Sequence, residues 1–206
     1  MPPDEKVLHL LFSGLYIVFL FERGFFQAKG MRVSGEASSI RANRSKLVSV
    51  LGLFLIGQLW VLGSFAFIVK PTSMAWTHFP LPPWIQWIGL LPTVFGMAIE
   101  LATQLSLGRN YSTTVHIGSE QTLVTNGPYR YMRHPMYPAL LTVGIGLGLM
   151  SASWYFLLPF ILTAIVIMFR IPHEEAAMIE KFGDQYLQYA QSTGRLLPRL
   201  GKKEQR

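Results

Sequence analysis

From Pro135 to Phe169 the chain runs 35 residues without a charged side chain, bracketed by Arg133-His134 before and Arg170 after. One straight helix of that length would be about 52 Å long, against a bilayer hydrocarbon core of about 30 Å. Folded back on itself, the same stretch gives two arms of about 26 Å each. A hairpin turning near Ser151-Ala152-Ser153 therefore satisfies the length, with a shallow re-entrant hairpin as the alternative. Gly144, Gly146 and Gly148 would let its two helices approach closely. Packed helices lie about 8–10 Å apart, so Arg133–Tyr137 at the entry must sit near Arg170–Glu175 at the exit. Two polar clusters far apart in sequence are predicted to form one site at a membrane surface.

Composition supports the membrane setting. Half of the 206 residues are hydrophobic and 14% are charged, below the soluble average of about 25%. Apolar segments can be drawn at about 7–21, 47–69, 84–107, 137–150 and 154–170. The fold class expected is all-α: an integral membrane bundle of about five transmembrane helices with a C-terminal hairpin. No Gly/Ser- or Pro-rich linker divides it, so residues 1–206 read as one domain. Within it, 1–104 supply N-terminal helices, 105–198 the catalytic region and 199–206 a basic tail. The first apolar segment lacks a basic leader and a small-residue cleavage site, so it reads as a retained helix. With no cysteine, disulfides, thiolate metal sites and a Cys nucleophile are excluded.

The formal charge of +7 suggests nucleic acid until its placement is examined. Five crossings put the regions around Arg23–Lys46, Arg109–Arg133 and Arg170–Arg206 on one side, and these hold sixteen of the eighteen basic residues. Lys6 and Lys70 are left on the other side. By the positive-inside rule the N-terminus is outside and the C-terminus cytosolic. The basic excess is topological, and no nucleic-acid partner is expected. Trp76, Trp84, Trp87 and Trp154 fall at the predicted outer boundary, as an interfacial belt does, while Trp60 lies inside the second span.

The clusters have both a plain and a functional reading. Pro135 suits a first helical residue, Arg130 and Arg133 suit inside anchors, and Tyr129 and Tyr137 suit the interface. Pro172 could restart a helix whose first turn accommodates Glu174 and Glu175 through its dipole. Beyond Pro172, a helix over about 173–190 would align Met178, Ile179, Phe182, Tyr186 and Tyr189, with Gly183 weakening or bending it. Within the third span Glu100 shares a face with Gln104. An intramembrane carboxylate points to function, yet Glu100 is under two turns from the inner end and could snorkel. Gln58 suits a helix–helix hydrogen bond, and His9 and His78 suit the surface or the interface. No His/Asp/Glu spacing fits a metal site.

The stretch Gln121-Thr122-Leu123-Val124-Thr125-Asn126-Gly127-Pro128-Tyr129 is followed by Arg133-His134-Pro135-Met136-Tyr137, Glu174-Glu175, Phe182-Gly183, Tyr186 and Tyr189. Together these resemble the isoprenylcysteine carboxyl methyltransferase family, whose wider relatives are the phospholipid methyltransferases. The resemblance covers roughly residues 105–198. It implies a membrane enzyme that transfers a methyl group from S-adenosyl-L-methionine. Carried over, the cofactor contacts are His116, Gln121, Thr122, Leu123, Val124, Tyr129, His134, Pro135, Met136, Tyr137 and Glu174. Arg170 matches the position facing the methyl acceptor, which makes Arg170 and Glu174 the candidate catalytic pair. Gln121 stands where the family often has His, and Pro138 where small or aliphatic residues are usual.

The residue types suit that ligand. Arg or His can pair with its carboxylate, Glu174 with its ammonium, and a tyrosine ring with its adenine or sulfonium. A carboxylate acceptor needs no general base; an amine would need to lose a proton, for which Glu174 or His134 is nearest. The expected partners are membrane lipids and a lipophilic acceptor entering between helices, with Glu100 and Gln104 lining its path. The compact five-span form points to a bacterial inner membrane. Two other classes remain open: an NADPH-dependent membrane reductase of the sterol-reductase type, and a non-catalytic membrane scaffold.

Overall fold

The computed structural model describes residues 3–33, 61–108 and 122–199. Helix α1 spans Pro3–Val33, α2 covers 61–69, α3 spans Pro83–Ile88 and α4 spans Leu90–Leu107. Helix α5 spans Met136–Ser151, α6 spans Trp154–Phe182 and α7 spans Asp184–Ser192. Single 3-10 turns at Pro71–Thr77 and Gly127–Arg130 complete the described elements, and none of these is a strand. The all-helical membrane architecture read from the sequence is therefore what the chain adopts. Asp4–Phe26, Pro83–Leu107 and Trp154–Phe182 are each long and apolar enough to cross a membrane, and Met136–Ser151 is a shorter apolar helix. Most of the second predicted span, 47–60, lies outside the described residues, with Trp60 and Gln58.

The hairpin turns where its length required. Ala152 adopts the left-handed conformation at φ 46°, and extended Ser153 caps α6. The turn is pinned from outside the hairpin: the Phe79 N–H donates to Ala152 O at 2.9 Å, and Thr77 and Ser153 hydroxyls share a 2.7 Å bond. Trp76 and Trp154 meet edge to face at 5.2 Å beside it, at the end predicted to face outward. Each arm has an apolar length of about 24 Å, since Trp154 through Phe169 make sixteen residues and sixteen form α5.

The three hairpin glycines divide their duties. A Cβ on Gly144 would fall 2.0 Å from the Phe160 ring, and one on Gly148 would fall 2.1 Å from Leu157, so both admit α6. Gly146 does not face α6: its Cβ would meet Thr93 on α4 at 2.2 Å. Two residues from each of them, about 200° around the helix, it is turned to the other neighbour. On α4, Gly89 and Gly96 approach the α5 backbone at Gly146 and Ala139, where an added Cβ would lie within 2.7–2.8 Å of carbonyl oxygens. In lipid, such close backbone approach and dispersion drive association, because lipid tails are as apolar as the helices.

The centre of the bundle is aromatic. Phe12 lies 4.8 Å from Phe156 and 5.1 Å from Phe67 between ring centroids, and Phe67 lies 5.1 Å from Phe156. Val143, Leu147 and Met150 of α5 pack into the same cluster with Leu8, Tyr16 and Phe19 of α1. The Tyr16 hydroxyl donates to Ser64 at 2.7 Å, so the polar tip of this buried ring has its partner. Outward faces carry Phe21, Leu91, Met168 and Phe169, all exposed as lipid-facing side chains are.

Two expectations about helix ends are corrected. Helix α1 continues past residue 21 to Val33, which puts Arg23 on the helix rather than in a basic loop. Pro172 does not restart a helix: α6 runs through Pro159 and Pro172 to Phe182. Pro172 removes one N–H from the ladder, and the His173 imidazole Nδ1–H donates to the neighbouring Phe169 carbonyl at 2.8 Å. The break falls instead at Gly183, whose φ of 50° and ψ of −129° suit glycine alone. Only its missing Cβ permits the reversal into α7, and the predicted 173–190 stripe is split there.

Candidate functional site at the mouth of the hairpin

Residues 133–137 and 170–175 do meet. Tyr137, the second residue of α5, donates its hydroxyl to both carboxylate oxygens of Glu174 at 2.8 Å. Arg170 Nε donates to Glu174 Oε1 from one turn earlier on α6. The His134 ring lies between two carboxylates, with Nδ1 3.6 Å from Glu174 Oε2 and Nε2 3.4 Å from Glu175 Oε1. It also stacks on the Tyr137 ring, at 5.7 Å and 16°. Burial holds the His134 pKa below the usual imidazole range; Glu174 and Glu175 pull it upward, but less strongly.

Glu175 organises the outer half of the site. Arg133 Nε donates to its Oε1 at 3.0 Å and Arg195 Nη2 to its Oε2 at 2.6 Å. Arg133 also caps the end of α7, donating through Nη1 to the Ala190 and Thr193 carbonyls at 2.6 and 2.8 Å. The segment after α7 then lies along the motif. Arg133 N–H donates to Gly194 O, His134 N–H to Arg195 O, and Arg199 N–H to Tyr131 O. Arg199, expected to open a basic tail, is thus tied to the motif, while 200–206 lie outside the described residues. Tyr189 of α7 donates its hydroxyl to Tyr129 O at 2.8 Å and fixes the turn before the motif. Tyr186, 3% exposed, packs beside it, and burial pushes its phenol up to about 12.

The remaining expected cofactor contacts distribute around this centre. Pro135 is fully buried, and Met136 begins α5. Thr122, Leu123 and Val124 lie outside any helix or strand and lead into the Gly127–Arg130 turn, with Leu123 and Val124 half-buried. That turn packs against α4: a Cβ on Gly127 would fall 2.2 Å from Ser106 Oγ. His116 and Gln121 lie outside the described residues.

Glu100 does not snorkel. Its side chain and that of Gln104 are both 0% exposed, facing α1 within the bundle. Arg23 Nη1 donates to Glu100 Oε1 at 2.8 Å and also approaches Met136 Sδ at 3.7 Å. Gln104 Nε2 lies 3.3 Å from Glu100 Oε1 and 3.4 Å from Glu22 Oε1. This buried polar group therefore touches the first residue of α5 but does not join Arg170 and Glu174. Arg23, Glu22 and Arg195 were not singled out from sequence. The first two are polar residues at the inner end of an apolar segment, a signal that also marks ordinary anchors.

Comparison with known proteins places this arrangement. Residues 84–185 match the phospholipid methyltransferase family. Protein-S-isoprenylcysteine O-methyltransferase A of Arabidopsis thaliana is 34% identical over 120 residues, covering 56% of this chain and 60% of that protein. The Homo sapiens protein-S-isoprenylcysteine O-methyltransferase is 30% identical over 131 residues, covering 61% of this chain and 45% of its own. The chain thus spans less than two thirds of the length of these curated relatives. A solved eukaryotic isoprenylcysteine carboxyl methyltransferase, described as an intramembrane Ras methyltransferase, superposes with a TM-score of 0.58 at 20% identity. That superposition covers 96% of this chain and 68% of the other, and shows a shared fold.

Proposed function

We propose that this chain, which is similar to the isoprenylcysteine carboxyl methyltransferases, is an integral membrane methyltransferase using S-adenosyl-L-methionine. Its acceptor is a lipophilic molecule carrying a carboxylate, as the isoprenylcysteine in the relatives' names suggests. The observation that carries this reading is the Tyr137–Glu174–Arg170 cluster with His134 against it, held at the mouth of an apolar hairpin.

The donor set fits the cofactor chemically. Glu174 offers a carboxylate to an ammonium, and the stacked His134 and Tyr137 rings offer faces to an adenine or sulfonium. When bound, the cofactor supplies an electrophilic methyl group on sulfur, and the acceptor oxygen displaces the thioether in line. The chain's own part is alignment and exclusion of water. Arg170 holds the acceptor carboxylate, exchanging one of its bonds to Glu174 for the substrate. Glu174 then turns toward the cofactor with Tyr137 still donating to it. No general base is required for a carboxylate acceptor. Glu175, through Arg133 and Arg195, keeps the α7 segment closed over the motif.

The described helices support residence in a membrane, and the distribution of basic residues supports a site on its cytosolic side. The test is calorimetric titration of the detergent-purified chain with S-adenosylmethionine, S-adenosylhomocysteine and NADPH. Micromolar binding of the first two is expected. Heat from NADPH alone would sink the reading and point to a reductase.

A further inference from the structure

Glu100 and Gln104 sit one turn apart on α4, both 0% exposed, and one acceptor atom on each has no hydrogen-bond partner among the described residues: Glu100 Oε2 and Gln104 Oε1. The donors that reach them end on other oxygens. Arg23 Nη1 is directed at Glu100 Oε1 and Met136 Sδ, and Gln104 Nε2 at the Oε1 atoms of Glu100 and Glu22. Buried acceptors without donors are rare in native proteins because each loses its hydration without replacement. Two of them side by side inside a membrane bundle define a place that lacks only N–H or O–H donors.

Charge narrows what belongs there. When ionised, Glu22 and Glu100 outweigh Arg23 by one negative charge, so a further carboxylate is repelled and a hydrogen-bond donor is drawn in. Position narrows it further. Arg23 joins the cluster to Met136, between Pro135 and Tyr137 of the motif. Met136 immediately precedes Tyr137, whose hydroxyl donates to Glu174, so the cluster borders the Arg170–Glu174 pair through two adjacent residues of α5.

We propose that Glu100 and Gln104 form a subsite that recognises an N–H donor of the methyl acceptor, an amide N–H or an ammonium beside the reacting carboxylate. The subsite sets specificity and takes no part in the methyl transfer. This rests on the methyltransferase reading above. It divides acceptor recognition between two poles: a guanidinium for the reacting oxygen atoms, and buried acceptors for the adjacent nitrogen. A site built to bond an N–H discriminates strongly against an analogue lacking it, because its own acceptors are then left unpaired.

The experiment uses the full chain in lipid nanodiscs with methyl-labelled S-adenosylmethionine. Three prenylated cysteine acceptors are compared: the N-acyl amide, its ester isostere with oxygen in place of N–H, and the free ammonium form. At least one N–H-bearing form should exceed the ester in kcat/KM by tenfold or more, and which one does tells amide from ammonium. Glu100→Gln and Gln104→Met should each shrink that ratio toward one while S-adenosylhomocysteine still binds by calorimetry. Equal turnover of ester and N–H forms by the wild-type protein, or turnover of none while S-adenosylhomocysteine binds, overturns the inference. A lowered Tm with undiminished discrimination in both variants makes the pair structural and also overturns it. Failure of the wild-type protein to bind S-adenosylhomocysteine defeats the methyltransferase reading itself, and the subsite with it.

Discussion

Arg133 Nε and Glu175 Oε1 lie 3.0 Å apart, joining the entry of the hairpin to its exit across 42 positions of sequence. The same guanidinium holds two carbonyls at the end of α7. One side chain therefore clamps three segments that no local preference would bring together. Arg133→Ala should lower stability by roughly 2 kcal/mol, because it strands a partly buried carboxylate and two carbonyls. Arg133→Lys should recover little, since one ammonium cannot reproduce the planar fork. Thermal unfolding in detergent reads both, and a Lys variant as stable as the wild type would refute the clamp.

Glu174 is predicted to serve binding more than folding. Glu174→Gln keeps the shape and a bond to Tyr137 but removes the charge. Cofactor affinity should fall about tenfold or more, equivalent to about 1.4 kcal/mol, with Tm nearly unchanged. Calorimetry and thermal unfolding on one preparation separate this from a structural role, which would show the opposite pattern.

Arg170→Lys bears on the acceptor. Losing the bidentate fork should raise the acceptor KM more than it weakens the cofactor. Equal effects on both would place Arg170 with the cofactor instead.

His134 sets an acid limit. Burial favours its neutral form in the folded protein, so the unfolded chain binds the proton first as pH falls. Its contribution to stability is complete above the ordinary imidazole pKa of about 6.5 and is lost as pH drops from there toward the lower folded value. Tm measured across this range should decline on the acid side, and His134→Asn should flatten that decline.

Packing supplies the last prediction. Gly96→Ala places a methyl 2.8 Å from the Ala139 carbonyl and Val143, forcing α4 from α5 at a cost of about 1–3 kcal/mol. Gly14→Ala, with nothing within 4 Å, should instead gain about 0.5–1 kcal/mol from helix propensity. Equal effects of the two would show that the glycine contact is not what joins these helices.

What the sequence revealed was whatever followed from length. An uncharged run too long for one crossing had to fold near Ala152, and the meeting of Arg133–Tyr137 with Arg170–Glu175 followed. Facts of rotation and remote pairing stayed hidden. Gly146 reads like Gly144 and Gly148 until the angle between them is known. Arg23 resembles any cytosolic anchor, and its pairing with Glu100 spans 77 positions with no periodicity to announce it. Pro172 carries the stronger breaking signal, but the helix continues because one missing bond is tolerated where neighbours compensate. Gly183 breaks instead, because a reversal into α7 is available only to a residue without a Cβ.

The uninterrupted course of α6 has a geometric consequence. Its 29 residues make a rod of about 44 Å, some 14 Å longer than the apolar layer. Anchored by Trp154 at one surface, the rod carries Arg170 and Glu174 to a fixed height at the other. Under the proposed function this makes the protein a depth gauge: a lipid-borne acceptor would react only when its polar end floats at the level this rod defines. Bilayer thickness then becomes a variable of substrate choice, alongside chemical structure.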